Sequence, residues 1–151
     1  MIRRLNNCLM FAVLVGAGQA WAGCWDEVAR RYDIEPELLQ AIAAVESGYR
    51  ADAMNASNSD GSRDIGLMQI NSMHLPRLAK LGITEQRLMS EPCLSIEVGA
   101  SILAEFIQRF GYNWTAVGSY NAGAAPEREA LRLRYAEKIW ARYEALVAQR
   151  R

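Results

Sequence analysis

The chain has 151 residues and a mass of 16.9 kDa, enough for one domain. Hydrophobic residues make up 51% and charged residues 23%, a mixture that fits a packed core and excludes a disordered chain. Lys and Arg number 17 and Asp and Glu 17, so the balance excludes a strongly basic nucleic-acid binder and leaves no polybasic membrane patch. His74 is the sole histidine, which excludes a His-rich metal site.

Met1 to Ala22 reads as a secretory signal peptide. Arg3 and Arg4 give the positive start, Leu9 to Val15 the apolar stretch, and Ala20-Trp21-Ala22 an A-x-A cleavage site. The apolar run is shorter than the ~20 residues that span a bilayer, so no stable membrane insertion is expected once the signal is removed. Residues 23–151 then form one exported domain. Two basic residues leave with the signal, giving the mature chain a net charge of −2. Cys8 leaves as well. Cys24 and Cys93 remain, and an even pair in an oxidising compartment forms a disulfide. In the chain-entropy view, closing that loop stabilises the fold by ~4 kcal/mol. The competing reading takes Trp21-Ala22-Gly23-Cys24 as a lipobox with Cys24 lipidated.

Along the rest of the chain helical signals dominate, with neither internal repeat nor low-complexity stretch. Asp26 to Tyr32 reads as a short helix. Pro36 opens a second, unbroken through Glu46 and closed by Ser47-Gly48. Ala51 to Arg63, rich in Asn, Ser, Asp and Gly, reads as a loop or irregular hairpin with a turn at Asp60-Gly61. His74 to Leu81 reads as a helix closed by Gly82, and a short helix follows Thr84. Pro92 opens the longest, Cys93 to Phe110, closed by Gly111. Asn113 caps a helix from Trp114 to Tyr120, and Asn121 to Ala125 form a loop. Pro126 opens a last helical region with a break near Arg134. The expected class is mostly α, with one small polar excursion.

Three places carry candidate chemistry. Glu46 lies on the apolar face of its helix, four residues after Ile42 and three after Ala43. A carboxyl on such a face is driven toward its protonated form, as a general acid requires; the alternative is a helix-end Glu that turns into solvent. Asp64, at the end of the polar segment, is a second carboxylate, with a turn or capping role as its alternative. Beyond it, Gly66 permits close backbone approach, and Gln69 and Asn71 offer donors and acceptors suited to sugar hydroxyl and acetamido groups. The third place is Ser119-Tyr120-Asn121-Ala122-Gly123, where Tyr120 is either a site residue or an ordinary core tyrosine.

Taken in order, Glu46-Ser47-Gly48, Gly66-Leu67-Met68-Gln69-Ile70 and Ala116 to Tyr120-Asn121-Ala122-Gly123 resemble the motifs of the goose-type lysozyme-like lytic transglycosylases. The resemblance spans about residues 24–147. It is nearest to the small specialised members that accompany type III secretion, pilus and conjugal-transfer machines. It implies a lysozyme-like fold, an α-helical domain with a small irregular hairpin region, acting on peptidoglycan glycan strands in the periplasm without metal or other cofactor. It implies that Glu46 is the catalytic acid/base and that Ser47 helps hold its carboxyl group. It also implies that Gly66, Leu67, Met68 and Gln69 line the sugar cleft, with Tyr120 and Asn121 forming the third motif and Tyr135 contributing an aromatic side chain. Many members have a small residue where this chain has Asp64. The run Asp60 to Gly66 is similar instead to the strand motif of animal c-type lysozymes, which implies a catalytic role for Asp64 and a turn role for Asp60. The expected reaction cleaves the β-1,4 bond between N-acetylmuramic acid and N-acetylglucosamine and leaves a 1,6-anhydro product. Alternatives are a hydrolytic muramidase using the same site, or a peptidoglycan-binding scaffold without activity. Arg128, Arg132, Arg134 and Arg142 are candidates for a surface that meets the secretion, pilus or conjugation apparatus, or else a solvated helix face.

Overall fold

The computed structural model describes residues 21–151. The segment read as a signal peptide lies outside the described residues except for its last two. The described residues form seven α-helices and a small antiparallel sheet, in chain order α1 (Ala22–Tyr32), α2 (Pro36–Ser47), β1 (Met54–Asn55), β2 (Asp64–Ile65), β3 (Ile70–Asn71), α3 (Leu75–Ala79), α4 (Glu85–Ser90), α5 (Pro92–Phe110), α6 (Trp114–Ala122) and α7 (Glu129–Arg150). Short 3₁₀ turns, Ser72–His74 and Pro126–Arg128, lead into α3 and α7.

The helix ends follow the local chemistry. Pro36 sits in the first turn of α2, and Gly48 closes it in a left-handed conformation, its N–H donating to the carbonyls of Ala43 and Ala44. Thr84 caps α4, and Asn113 caps α6 by accepting from the Ala116 N–H. α5 runs through the middle of the domain and buries Ile96, Val98, Ala100, Ile102 and Leu103. Leu38, Leu39 and Ile42 of α2 and Ile139 of α7 join the same core.

Four boundaries differ from expectation. α1 begins at Ala22, where Trp21 and Cys24 already pack against the core. The helix expected from His74 to Leu81 is a 3₁₀ turn followed by Leu75–Ala79. α6 continues through Asn121 to Ala122, because Ala122 is buried and Gly123 is the cap. α7 does not break near Arg134: Arg132, Tyr135, Ala136 and Ile139 form one buried stripe that carries the helix past that point. That stripe packs on α6 and α2. Gly118 permits the α6 approach, since a Cβ there would lie 2.5 Å from the Arg132 carbonyl oxygen.

The polar excursion is a three-stranded sheet of order β1-β2-β3, pairing Asn55 with Asp64 and Asp64 with Asn71. These three polar residues therefore stand side by side on one face. The next rung pairs Met54 with Ile65 and Ile65 with Ile70, and the two isoleucines are buried. A disulfide joins Cys24 in the first turn of α1 to Cys93 in the first turn of α5, with Cα atoms 5.5 Å apart and a sequence separation of 69. The structure thus realises the disulfide rather than the free Cys24 that lipidation would need. Among the described residues no helix is long and apolar enough to cross a membrane.

Candidate active site

Glu46 occupies the last turn of α2, half-buried between the core stripe and the sheet. Its carboxyl is pushed up to about 7, first by burial and further by the charge of Asp64. Two groups on α7 oppose this shift: the Tyr135 hydroxyl, which donates to Glu46 Oε1 at 2.5 Å, and the Lys138 charge one turn on. The sum is a carboxylic acid that holds its proton near neutral pH. Tyr135 is itself buried. Burial and the neighbouring Glu46 charge hold its phenol well above the usual tyrosine range, so it acts as a hydrogen-bond donor.

Asp64 comes from β2. Its Oδ2 accepts from the Asn55 amide at 3.1 Å and the Asn58 amide at 3.0 Å, and its Oδ1 accepts from the Asn71 amide at 2.9 Å. Two of these donors are its direct cross-strand neighbours, so the register of the sheet builds the cradle. Asp60 accepts from the Ser62 N–H at 2.9 Å, the turn role expected of it.

The segment Gly66 to Gln69 braces the site from behind. Gly66 has φ 75° and packs on α4 and α5: a Cβ there would strike the Leu88 carbonyl and lie 3.3 Å from Ser95 Oγ. Met68 is fully buried, its N–H donating to Ser95 Oγ at 3.1 Å and its side chain against Gly99. The Met68 side chain therefore faces the interior, which corrects the expectation that it lines the cleft, and Gly66 meets its neighbours through backbone alone. What they present is backbone. The Met68 carbonyl accepts from the Tyr120 hydroxyl at 2.8 Å, and the Leu67 carbonyl accepts from Ser47 Oγ at 2.7 Å. This also corrects the expectation for Ser47. Its hydroxyl ties the end of α2 to the Leu67 backbone and does not bond the Glu46 carboxyl, a place taken by Tyr135. Gln69, at φ 49°, donates from Nε2 to the carbonyls of Gly66 (2.9 Å) and Ala53 (3.2 Å).

Tyr120, on α6, is held well above the usual tyrosine range by burial and by the charges of Glu46 and Asp64. Asn121 is exposed at the end of α6 rather than in the loop. The structure thus gathers Glu46, Asp64, Tyr120 and Tyr135 into one site from α2, β2, α6 and α7.

Sequence reasoning missed several supporting residues. Ser95 is a fully buried serine inside α5, and its placement opposite Met68 left no local signal. Arg132, read as a surface residue, is buried; its guanidinium donates to the carbonyls of Ala125 (2.7 Å) and Gly123 (3.1 Å) and fixes the loop that follows α6. The buried stripe of α7 was a possible signal for it. Asn55 and Asn58 lay in a stretch read as a loop or irregular hairpin, with no role assigned to either.

A helical domain with a small sheet and a protonated Glu at the junction is the arrangement of lysozyme-like glycan-cleaving enzymes. The fold matches that of an inactive mutant of lytic transglycosylase Slt from Pseudomonas aeruginosa, with a TM-score of 0.64 at 21% identity. The match covers 85% of this chain and 24% of the Slt chain. Residues 23–143 match the Transglycosylase SLT domain family, and the chain belongs to that family of peptidoglycan lytic transglycosylases. It is 50% identical over 133 residues to the invasion protein IagB of Salmonella typhimurium strain SL1344, covering 88% of this chain and 82% of IagB. It is 47% identical over 128 residues to the protein IpgF of Shigella flexneri, covering 85% and 84%.

Proposed function

We propose that the chain cleaves the β-1,4 bond between N-acetylmuramic acid and N-acetylglucosamine in the periplasm and releases 1,6-anhydromuramyl ends. The observation that carries this reading is the Glu46 carboxyl, raised to about 7 and aligned by Tyr135. In the first step Glu46 gives its proton to the bridging oxygen as the bond from that oxygen to muramyl C1 breaks. The positive charge that develops at C1 is met by the carbonyl oxygen of the sugar's own acetamido group, with the Asp64 charge nearby. In the second step the Glu46 carboxylate takes the proton of the muramyl 6-hydroxyl while that oxygen bonds to C1. Glu46 ends protonated and ready for another turn, and no water is consumed. In this reading Gln69 and Asn121 contact the glycan.

Residues 1–22 act as the export signal in this reading, and residues 23–151 as the mature domain. In the same reading the chain opens the wall locally for a secretion, pilus or conjugation apparatus; its relative IagB is named an invasion protein. Digestion of purified sacculi followed by mass analysis of the muropeptides tests the reaction. The expected fragments are lighter by one water than hydrolytic products; fragments of full hydrolytic mass would make the enzyme a muramidase, and an absence of fragments a binding protein.

Tyr135 supplies a second check. Its hydrogen bond lowers the Glu46 pKa, so Tyr135→Phe raises it further and leaves Glu46 protonated to higher pH. The rate of sacculus clearing should fall roughly tenfold, from a less well-aligned carboxyl, while its alkaline limb moves to higher pH. A limb that stays in place would remove Glu46 as the titrating acid.

A further inference from the structure

At the far end of the α2/α7 pair from Glu46 lies a second concave site. Glu35 and Glu46 are separated by nearly the full length of α2, about 16 Å at helical rise. Tyr112, Trp114, Trp140 and Tyr143 form the aromatic walls, and Glu35 stands at the rim. Trp114 meets Trp140 edge to face at 5.1 Å between ring centroids, and Tyr143 lies 6.0 Å from Trp140. Three of these large aromatics, Tyr112, Trp114 and Trp140, are more than a third exposed, so the cluster is open to solvent rather than part of the core.

The unpaired charge at the pocket is negative. Glu35 Oε2 accepts from the Tyr143 hydroxyl at 3.1 Å and the Tyr112 hydroxyl at 3.4 Å, and Glu35 has no cationic partner among the described residues. The charges of Asp33 and Glu37 also reach these tyrosines, and Arg150, the nearby cation, is occupied by Glu37. The cavity holds about 130 Å³, below the ~300 Å³ at which ligand pockets usually begin, and suits one long side chain rather than a sugar ring. Aromatic faces beside a carboxylate attract an ammonium group and accept the alkyl stem that carries it.

We propose that this pocket receives a lysine side chain of a partner polypeptide, its stem against Trp114 and Trp140 and its ammonium on Glu35. The site stands apart from the glycan-cleaving centre and does not depend on the reading of that centre. The test is an NMR titration of the folded, disulfide-bonded chain, following the indole N–H signals of Trp114 and Trp140. The probe is the end-blocked tripeptide Gly-Lys-Gly, with norleucine in place of lysine as its uncharged control.

The lysine peptide should shift both signals saturably, more weakly at high salt. Glu35→Gln should weaken it about fivefold while leaving sacculus clearing unchanged, and Trp140→Ala should weaken it by a similar factor. Circular dichroism of both variants establishes that they remain folded. No saturable shift, an equal response to the norleucine peptide, or the same shifts from N-acetylglucosamine oligomers instead would overturn the proposal.

Discussion

Glu46→Gln is expected to abolish glycan cleavage and, above neutral pH, to make the protein more stable. The first effect follows from the proposed double role, since the same carboxyl serves as acid in one step and base in the next. General acid–base catalysis contributes on the order of 10²–10⁴ in rate, and a glutamine can neither give nor take the proton. Sacculus clearing should fall by about 10³ or more. The second effect follows from the folded-state pKa of about 7 against an ordinary value of 4.5. Below about pH 4.5 the carboxyl is protonated in both folded and unfolded chains, and the fold bears no penalty. As pH rises from there the unfolded chain ionises first, so stability is progressively lost, and the loss is complete above about pH 7. A difference of that size corresponds to at most about 3 kcal/mol. Glutamine keeps an acceptor for Tyr135 but carries no charge. The variant should therefore melt at a higher temperature than the parent at pH 8 and at a similar temperature at pH 4. Thermal melts at the two pH values check this. Equal differences at both would mean that Glu46 is not the group whose ionisation strains the fold, and clearing that survives the substitution would remove it from catalysis.

Gly66→Ala should be among the most damaging single-methyl changes in the chain. Gly66 combines φ 75° with a position where a Cβ strikes the Leu88 carbonyl, a backbone atom that a rotamer change cannot move. Left-handed backbone costs an L-residue ~1–2 kcal/mol, and overpacking adds typically 1–3. A loss of about 3 kcal/mol in urea denaturation is expected. Activity should fall with it, because the segment that must shift carries the Leu67 carbonyl that holds Ser47 and the Met68 carbonyl that holds Tyr120. Gly61→Ala separates the two causes. Gly61 has φ 77° with nothing within 4 Å of its Cβ position, so that variant should lose only the ~1–2 kcal/mol of backbone strain. If both variants lost the same amount, the close packing on Leu88 would carry no weight.

The helices were legible because their signals are local. A proline in the first turn, an Asn or Thr cap and a closing Gly act within a few residues, and they placed α2, α4, α5 and the start of α6. Glu46 was legible for a related reason: its position on the apolar face of α2 is set by helical period alone. The unbroken α7 was not, since mixed charges around Arg134 obscure a buried stripe that forms only against α2 and α6. The roles of Ser47 and Met68 were misread in a shared way. Motif order marked them as site residues, but whether a side chain faces a groove or the interior depends on what lies behind it, here Leu67, Ser95 and Gly99.

Residue order was enough to specify a mostly helical chain, the cysteine pair available for a bridge, and a carboxyl forced onto an apolar face. These depend on residue type and spacing over one or two turns. The tertiary structure alone decided that Tyr135 rather than Ser47 holds that carboxyl, that Asp64 rests in a cradle of three amides, and that Glu35 joins aromatics from distant parts of the chain. The Tyr135 and Glu35 contacts link residues 77 to 108 apart in sequence and form only when the helices close on one another, whereas the Asp64 cradle spans six to nine residues and is set by the register of the sheet.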